Sequence, residues 1–480
     1  MKNKKGKSRG RAKTFFKSKF SVAKRTLKNE FLEIGKSFAC FGHIISDNFL
    51  YYVIRKKDAK KPEPLFFKGP TNLTFVLAIV AILAFGLVAL FSASYVESYD
   101  ENPTTEKVMT MQEDGTYVET EIKVKEAKGG YAMFLEQLGV ALFGLAVMMA
   151  ASHVRIDVYR KLAGFMFVIS LLLLVYVLIN PEIKDDKEDI KRWVNIFGIS
   201  LQPSEIAKLT MILYMASIME RYQSYIKKSA WAIVPNAIPV FIVLALMIPE
   251  SHNSGMVIIF AIGASMLFFG GIKMRWFIVG AGFVAVAVAG LYLYGIYLCE
   301  HEDAIVHYAQ DRIAMWVKLL EGYDLTLAER TGDAWQSLQS LYAVGSGGLF
   351  GLGFGQSKQK HMYLPEPHND FIFAVVCEEL GFFRSVLVIL AFLLIVFLGM
   401  YIATKARSKF AAMVAMGLSF KVGLQALLNF AVVTSMIPNT GISLPFFSSG
   451  GTALLLQLAE MGIILAVARE SGKKGSYALQ

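Results

Sequence analysis

The chain is 480 residues long, 55% hydrophobic and only 18% charged, where a soluble protein carries about 25% charged residues. Its apolar residues fall in blocks near the ~20 that cross a bilayer as a helix, which excludes a soluble enzyme, a disordered chain and a secreted disulfide scaffold. The net charge of +11 is uneven: residues 1–72 carry 19 Lys and Arg against 5 Asp and Glu, a balance of +14, and the rest of the chain carries −3. A basic tail of this kind marks a cytoplasmic end beside anionic lipid rather than a nucleic-acid reader. No nucleic-acid partner is expected.

Within the tail (1–72), residues 37–54 hold Phe38, Phe41, Ile44, Ile45, Phe49 and Leu50 but no Lys or Arg. We read this stretch as an amphipathic helix on the inner leaflet, because a span there would put the basic tail outside. No signal-peptide pattern precedes the apolar run near residue 73. Ten apolar segments then predict spans at about 73–95, 131–151, 162–180, 204–220, 232–249, 255–271, 276–298, 370–402, 409–436 and 452–469. Starting inside, the basic loops 153–161, 220–228, 271–276 and 404–409 and the tail 471–480 share the side of the N-terminus. The loops at about 96–130, 181–203, 299–369 and 437–451 fall on the other side. The first of these carries nine acidic and four basic residues, the second five and four. The fold class is an all-α polytopic membrane protein of about ten transmembrane helices spanning 73–470. Both termini are cytoplasmic, and a large extracytoplasmic loop lies between spans 7 and 8.

Four clusters carry the unusual chemistry. In 192–208, Pro203 suits the first turn of a helix, and Glu205 and Lys208 are three apart on one face, so they can pair. Ionisable groups at a span edge are costly and usually functional, although a structural ion pair or a snorkelling lysine reads the spacing equally well. In 345–357, six glycines in eleven residues let backbone approach a ligand or a neighbour closely. The stretch lacks the Lys-Ser/Thr end of a phosphate-binding loop. In 363–381, Asp370 stands where a helix opens, while Glu378 and Glu379 sit inside an apolar helix and require an interior or watery partner. In 438–451, a Pro/Gly-rich corner follows a helix bearing Lys421, Gln425 and Asn429. It reads either as a packed corner or as helix ends that hold an anionic head group. The histidines have no ligand spacing, and the scattered Cys40, Cys299 and Cys377 indicate neither a disulfide framework nor a zinc site.

Together the stretches RWVNIFGISLQPSEIAKL, QSLYAVGSGGLFGLGFGQSKQKHMYLPEPHNDFIFAVVCEELGF and IPNTGISLPFFSSGGTALL resemble the SEDS proteins of shape, elongation, division and sporulation (FtsW, RodA and SpoVE). The third cluster resembles the FtsW/SpoVE branch more than RodA. The resemblance implies a peptidoglycan glycosyltransferase in the cytoplasmic membrane that polymerises lipid II on its outer face. It implies a class B penicillin-binding protein, a transpeptidase, as partner, with other division or elongation membrane proteins. In that chemistry an acceptor 4-hydroxyl attacks the anomeric carbon, a carboxylate takes its proton, and the pyrophosphate-lipid leaves. Basic groups or a divalent cation, Mg or Mn, offset charge on the pyrophosphate.

The resemblance places the base in the large loop, between Trp316 and the Gln336-Ser337 helix start, where the family's Asp-Pro pair is missing and the loop is longer than usual. Asp324 is the choice, with Glu329, Asp333 and Glu321 as alternatives. It further implies roles at the substrate for Glu205, Lys208, Asp370, Glu379, Gln425, Asn429, Ser448, Gly450 and Gly451. Arg192, Lys358 and Lys360 are candidates for the pyrophosphate or the glycan strand. Ser449 stands where the family often has an aromatic. Two other classes fit the same sequence: a lipid II flippase with intramembrane charges, and a non-catalytic divisome scaffold.

Overall fold

Long apolar runs build the molecule. The computed structural model describes residues 71–100, 105–111, 117–123, 131–179, 194–196, 199–228, 233–250, 253–280, 282, 316, 318, 334–361 and 363–471. The basic tail with 37–54, most of the expected span 276–298 and most of the loop 299–333 lie outside these residues. The first helix, α1 (Leu73–Asp100), opens at Asn72, whose Oδ1 accepts the Phe75 N–H at 3.2 Å. Then come α2 (Ala132–His153), α3 (Ile156–Ile179), α4 (Pro203–Arg221), the short α5 (Gln223–Lys228), α6 (Ile233–Met247) and α7 (Asn253–Phe269). After α8 (Trp335–Ser346) the chain continues through α9 (Ile372–Thr404), α10 (Lys409–Val433) and α11 (Gly451–Ser471).

Six of these helices, α1, α2, α3, α9, α10 and α11, are long and apolar enough to cross a membrane, and α6 and α7 add two shorter apolar helices. Helix α4 differs in kind. It starts on Pro203, carries Glu205, Lys208, Glu220 and Arg221, and is buried along nearly its whole length. Helices α3, α6, α7, α10 and α11 all pack on it, which is how a charged helix is tolerated at the centre of an apolar bundle. Outside the bundle the sequence reading missed two antiparallel hairpins, β1 (Thr105–Met111) with β2 (Tyr117–Lys123), and β3 (Val194–Ile196) with β4 (Ile199–Leu201). The first is consistent with the aromatic and β-branched residues Tyr117, Val118, Thr120 and Ile122 in its second strand. The second delivers the chain directly into Gln202 and α4.

Hydrogen bonds join the loops expected on the basic side. Arg160 bridges Asp157 at 2.6 Å and Glu220 at 3.3 Å, Glu220 accepts the Phe410 N–H at 3.0 Å, and Lys409 donates to the Gly270 carbonyl at 3.0 Å. One end of the bundle therefore gathers 153–161, 220–221, 270–273 and 405–410. The motif-bearing corners gather at the other end.

The expected span 370–402 is broken. Gly381 sits at φ 74° and ψ −179° inside α9, a backbone region essentially reserved for glycine. At that break the glycine-rich loop lies against the helix. Leu352 and Gly353 N–H groups donate to the Glu378 and Glu379 carbonyls, and the Phe382 N–H donates to Gly348, at 2.9–3.0 Å. A β-carbon on Gly381 would lie 2.2 Å from the Gly351 nitrogen, so the close approach requires glycine.

Candidate active site

The first turn of α4 presents Glu205 and Lys208 on one face, and Lys208 Nζ donates to Glu205 Oε1 at 2.5 Å with both side chains buried. Behind them, Lys421 of α10 lies 3.6 Å from the other Glu205 oxygen and 2.5 Å from Glu460 of α11. Four charges on three helices thus alternate in sign, and their sum is zero. A lone charge in this interior would be very costly, whereas a paired chain is tolerated.

Two corners close over this chain. Asn429 of α10 donates from Nδ2 to the carbonyls of Asp370 and Ile442, both at 2.7 Å, and so ties the 366–371 segment to the 438–450 corner. Ser448 Oγ donates to the Asn369 carbonyl and accepts the Leu444 N–H, both at 2.8 Å. The Ser449 N–H donates to the His368 carbonyl at 3.0 Å, and its hydroxyl bonds the Asn369 side chain. Gln137 of α2 supports the corner from behind through the Ser448 carbonyl and the Gly450 N–H.

Between these parts lies a cavity of about 230 Å³. Of the residues expected at the substrate, Glu205, Lys208, Asp370, Gln425 and Gly450 line it. Gln202, Ser254, Glu366, Asn369 and Ser443 line it as well and were not singled out from the sequence, and Ser449, which the sequence places in the 438–451 corner, lines it too. Gln425 donates only a long 3.5 Å bond to the Ser443 carbonyl, and its Oε1 has no hydrogen-bond partner among the described residues. A buried amide in that condition is suited to meet a ligand. Carboxylates, amides, hydroxyls and the Lys208 ammonium share the wall with apolar groups, a lining able to hydrogen-bond a polar ligand.

The remaining expected residues sit elsewhere. Asn429 and Ser448 build the wall through the bonds above, and Gly451 begins α11. Lys360 spends its three N–H groups on Glu379 at 2.9 Å, the Gly355 carbonyl at 2.9 Å and Ser92 Oγ at 3.0 Å. Glu379 also accepts from Ser92 at 2.7 Å. This buried group clamps α1, the glycine-rich loop and α9 together, away from the cavity lining. Glu378 accepts from Ser357 Oγ at 2.5 Å and from the Lys358 and Gln359 N–H groups at 3.0 and 3.2 Å. Lys358 itself is exposed.

Arg192, Glu321, Asp324, Glu329 and Asp333 lie outside the described residues. Their neighbours are informative: Trp316 Nε1 donates to the Ser435 carbonyl at 2.8 Å, and Asn439 Nδ2 donates to Gln336 Oε1 at 2.7 Å. Both flanks of the carboxylate-bearing stretch are tied to the segment leading into the 438–450 corner. Glu460 is the member of this charge chain that the motifs did not supply; the sequence marks Lys421 on the helix before the 438–451 corner, but without its partner. The signal available was an isolated acid in the middle of an apolar helix, which needs a buried cation.

Residues 116–473 match the FtsW/RodA/SpoVE family, described as cell cycle proteins. The chain belongs to this family. Among relatives of the FtsW/RodA/SpoVE family, the probable peptidoglycan glycosyltransferase FtsW of Trichlorobacter lovleyi is 32% identical over 396 residues. That alignment covers 82% of this chain and 92% of the relative. Stage V sporulation protein E of Bacillus subtilis is 34% identical over 341 residues, 70% of this chain and 86% of the relative. These relatives place the chain on the FtsW/SpoVE branch. Two solved structures share the fold, each at 20% identity. A chain of a peptidoglycan synthase complex that coordinates polymerization and crosslinking has a TM-score of 0.60, with 84% of this chain and 98% of that one covered. The rod shape determining protein RodA of Thermus thermophilus has a TM-score of 0.55, with 83% and 97% covered.

Proposed function

We propose that this chain is a peptidoglycan glycosyltransferase that polymerises lipid II on the outer face of the cytoplasmic membrane, in cell division or cell-wall growth. The observation that carries the reading is the polar cavity built from the family's own motifs at the end of the bundle away from the basic loops. The positive-inside rule puts that basic end, and both termini, in the cytoplasm. A class B penicillin-binding protein is the expected partner, supported by the fold shared with a chain of a synthase complex.

In the reaction the acceptor 4-hydroxyl forms a bond to the anomeric carbon of the growing strand, the bond from that carbon to the pyrophosphate oxygen breaks, and the hydroxyl proton passes to a carboxylate. We assign that base to Asp324, with Glu329, Asp333 and Glu321 as alternatives, because the flanks of this stretch are bonded beside the cavity's corner. Gln425, Asn369 and Ser449 orient sugar, and Glu205 and Lys208 orient the reacting end. Among the described residues no cluster of three His, Cys, Asp or Glu side chains assembles. Glu366 and Asp370 both line the cavity, and two carboxylates completed by phosphate and water oxygens fit Mg or Mn. When bound, such an ion offsets charge on the pyrophosphate.

Asp324→Ala is expected to leave the protein accumulating in the membrane and to remove polymerisation by at least about a hundredfold, the scale of a lost general base. Full activity in Asp324→Ala moves the assignment to Glu329.

A further inference from the structure

Lys421 and Glu460 are both fully buried and 2.5 Å apart, and neither lines the cavity. If their only task were to tie α10 to α11, the pair would be complete in itself. Yet Lys421 also stands 3.6 Å from Glu205 Oε2, the oxygen that Lys208 does not take. Glu205 is thus held between two ammonium groups, one at the cavity and one behind it. Lys421, Gln425 and Asn429 also share one face of α10 at four-residue spacing. The ion pair that fixes Lys421 therefore fixes the face that presents Gln425 to the cavity and Asn429 to the two corners.

We infer that Lys421 and Glu460 form a positioning pair for the reaction: they set the orientation of the Glu205 carboxylate, and through it the Lys208 ammonium, at the cavity wall. The inference rests on the glycosyltransferase reading. Neither residue touches substrate. Removing both charges together leaves the interior neutral, but it lets Glu205 turn toward Lys208 alone and loosens the geometry that the transition state requires. Losses of that kind appear in turnover rather than in binding.

Two variants of the full chain, assayed with its transpeptidase partner, test this. Lys421→Met/Glu460→Leu is neutral, and Lys421→Glu/Glu460→Lys keeps an α10–α11 ion pair while turning a carboxylate toward Glu205. Both are expected to accumulate, with kcat for lipid II polymerisation reduced at least about tenfold and KM changed less than about threefold. An activity-independent readout accompanies them: labelling of Lys208 by a small amine-reactive reagent, followed by mass spectrometry. It should run at least about threefold slower in the neutral variant, because Glu205, no longer shared with Lys421, gives its whole charge to the Lys208 ammonium and keeps it protonated. Wild-type kcat in either variant, or unchanged Lys208 labelling, overturns the inference. If neither variant accumulates, the pair is a folding element and the positioning role fails. A wild type that polymerises nothing counts against the glycosyltransferase reading instead, and the labelling comparison still decides the pair.

Discussion

Glu205→Leu is expected to abolish polymerisation and to destabilise the protein by about 3–5 kcal/mol, the scale of breaking a buried ion pair from one side. The substitution leaves Lys208 without the carboxylate 2.5 Å away and strands Lys421 with Glu460 only. One net positive charge then remains in an interior that was neutral. The double variant Glu205→Leu/Lys208→Met removes the excess and keeps Lys421 paired. It should recover most of the stability, read by thermal unfolding in detergent, while remaining inactive. That split separates the energetic role of the charge chain from its role at the cavity. Recovery of activity in the double variant would show that Glu205 and Lys208 serve the fold alone.

Gly381→Ala is the second substitution with a large expected effect. Its backbone lies at φ 74° and ψ −179°, where a side chain costs about 1–3 kcal/mol. The new β-carbon would also lie 2.2 Å from the Gly351 nitrogen and 2.5 Å from the Phe350 carbonyl carbon. Backbone cannot yield as a flexible side chain does, so overpacking adds about another 1–3 kcal/mol. The glycine-rich loop must lift from the helix break, opening the clamp formed by Lys360, Glu379 and Ser92. Limited proteolysis should then cut within 347–361. Gly345→Ala is the control: among the described residues no atom beyond its chain neighbours and its own helix backbone stands within 4 Å of the added carbon, and wild-type stability is expected.

Much of this architecture was legible because hydrophobic runs and loop charges are local properties. Among the described residues the apolar segments become helices, and the basic loops meet at one end, where Arg160 and the Phe410 N–H both bond Glu220 and Lys409 donates to the Gly270 carbonyl. Motif residues also carried far: Glu205, Lys208, Asp370, Gln425 and Gly450 converge on one cavity from three distant parts of the chain. What the sequence concealed depends on tertiary contact. Lys360, a lysine after a glycine-rich loop, reads as a pyrophosphate ligand until Glu379 and Ser92 are seen around its buried ammonium. Gly381 lies inside a long helical stretch, and nothing local distinguishes a helical glycine from one at positive φ. Lys421 and Glu460 are 39 positions apart on separate helices, so only packing shows that they are partners.

The central claim is that the cavity performs glycosyl transfer. The most direct measurement is the conversion of lipid II to glycan by the purified chain with its class B transpeptidase in vesicles that hold lipid II in the outer leaflet. Extended glycan strands, lost in Asp324→Ala, are the expected result. Movement of lipid II between leaflets with no chain extension would contradict the account and make the protein a translocator.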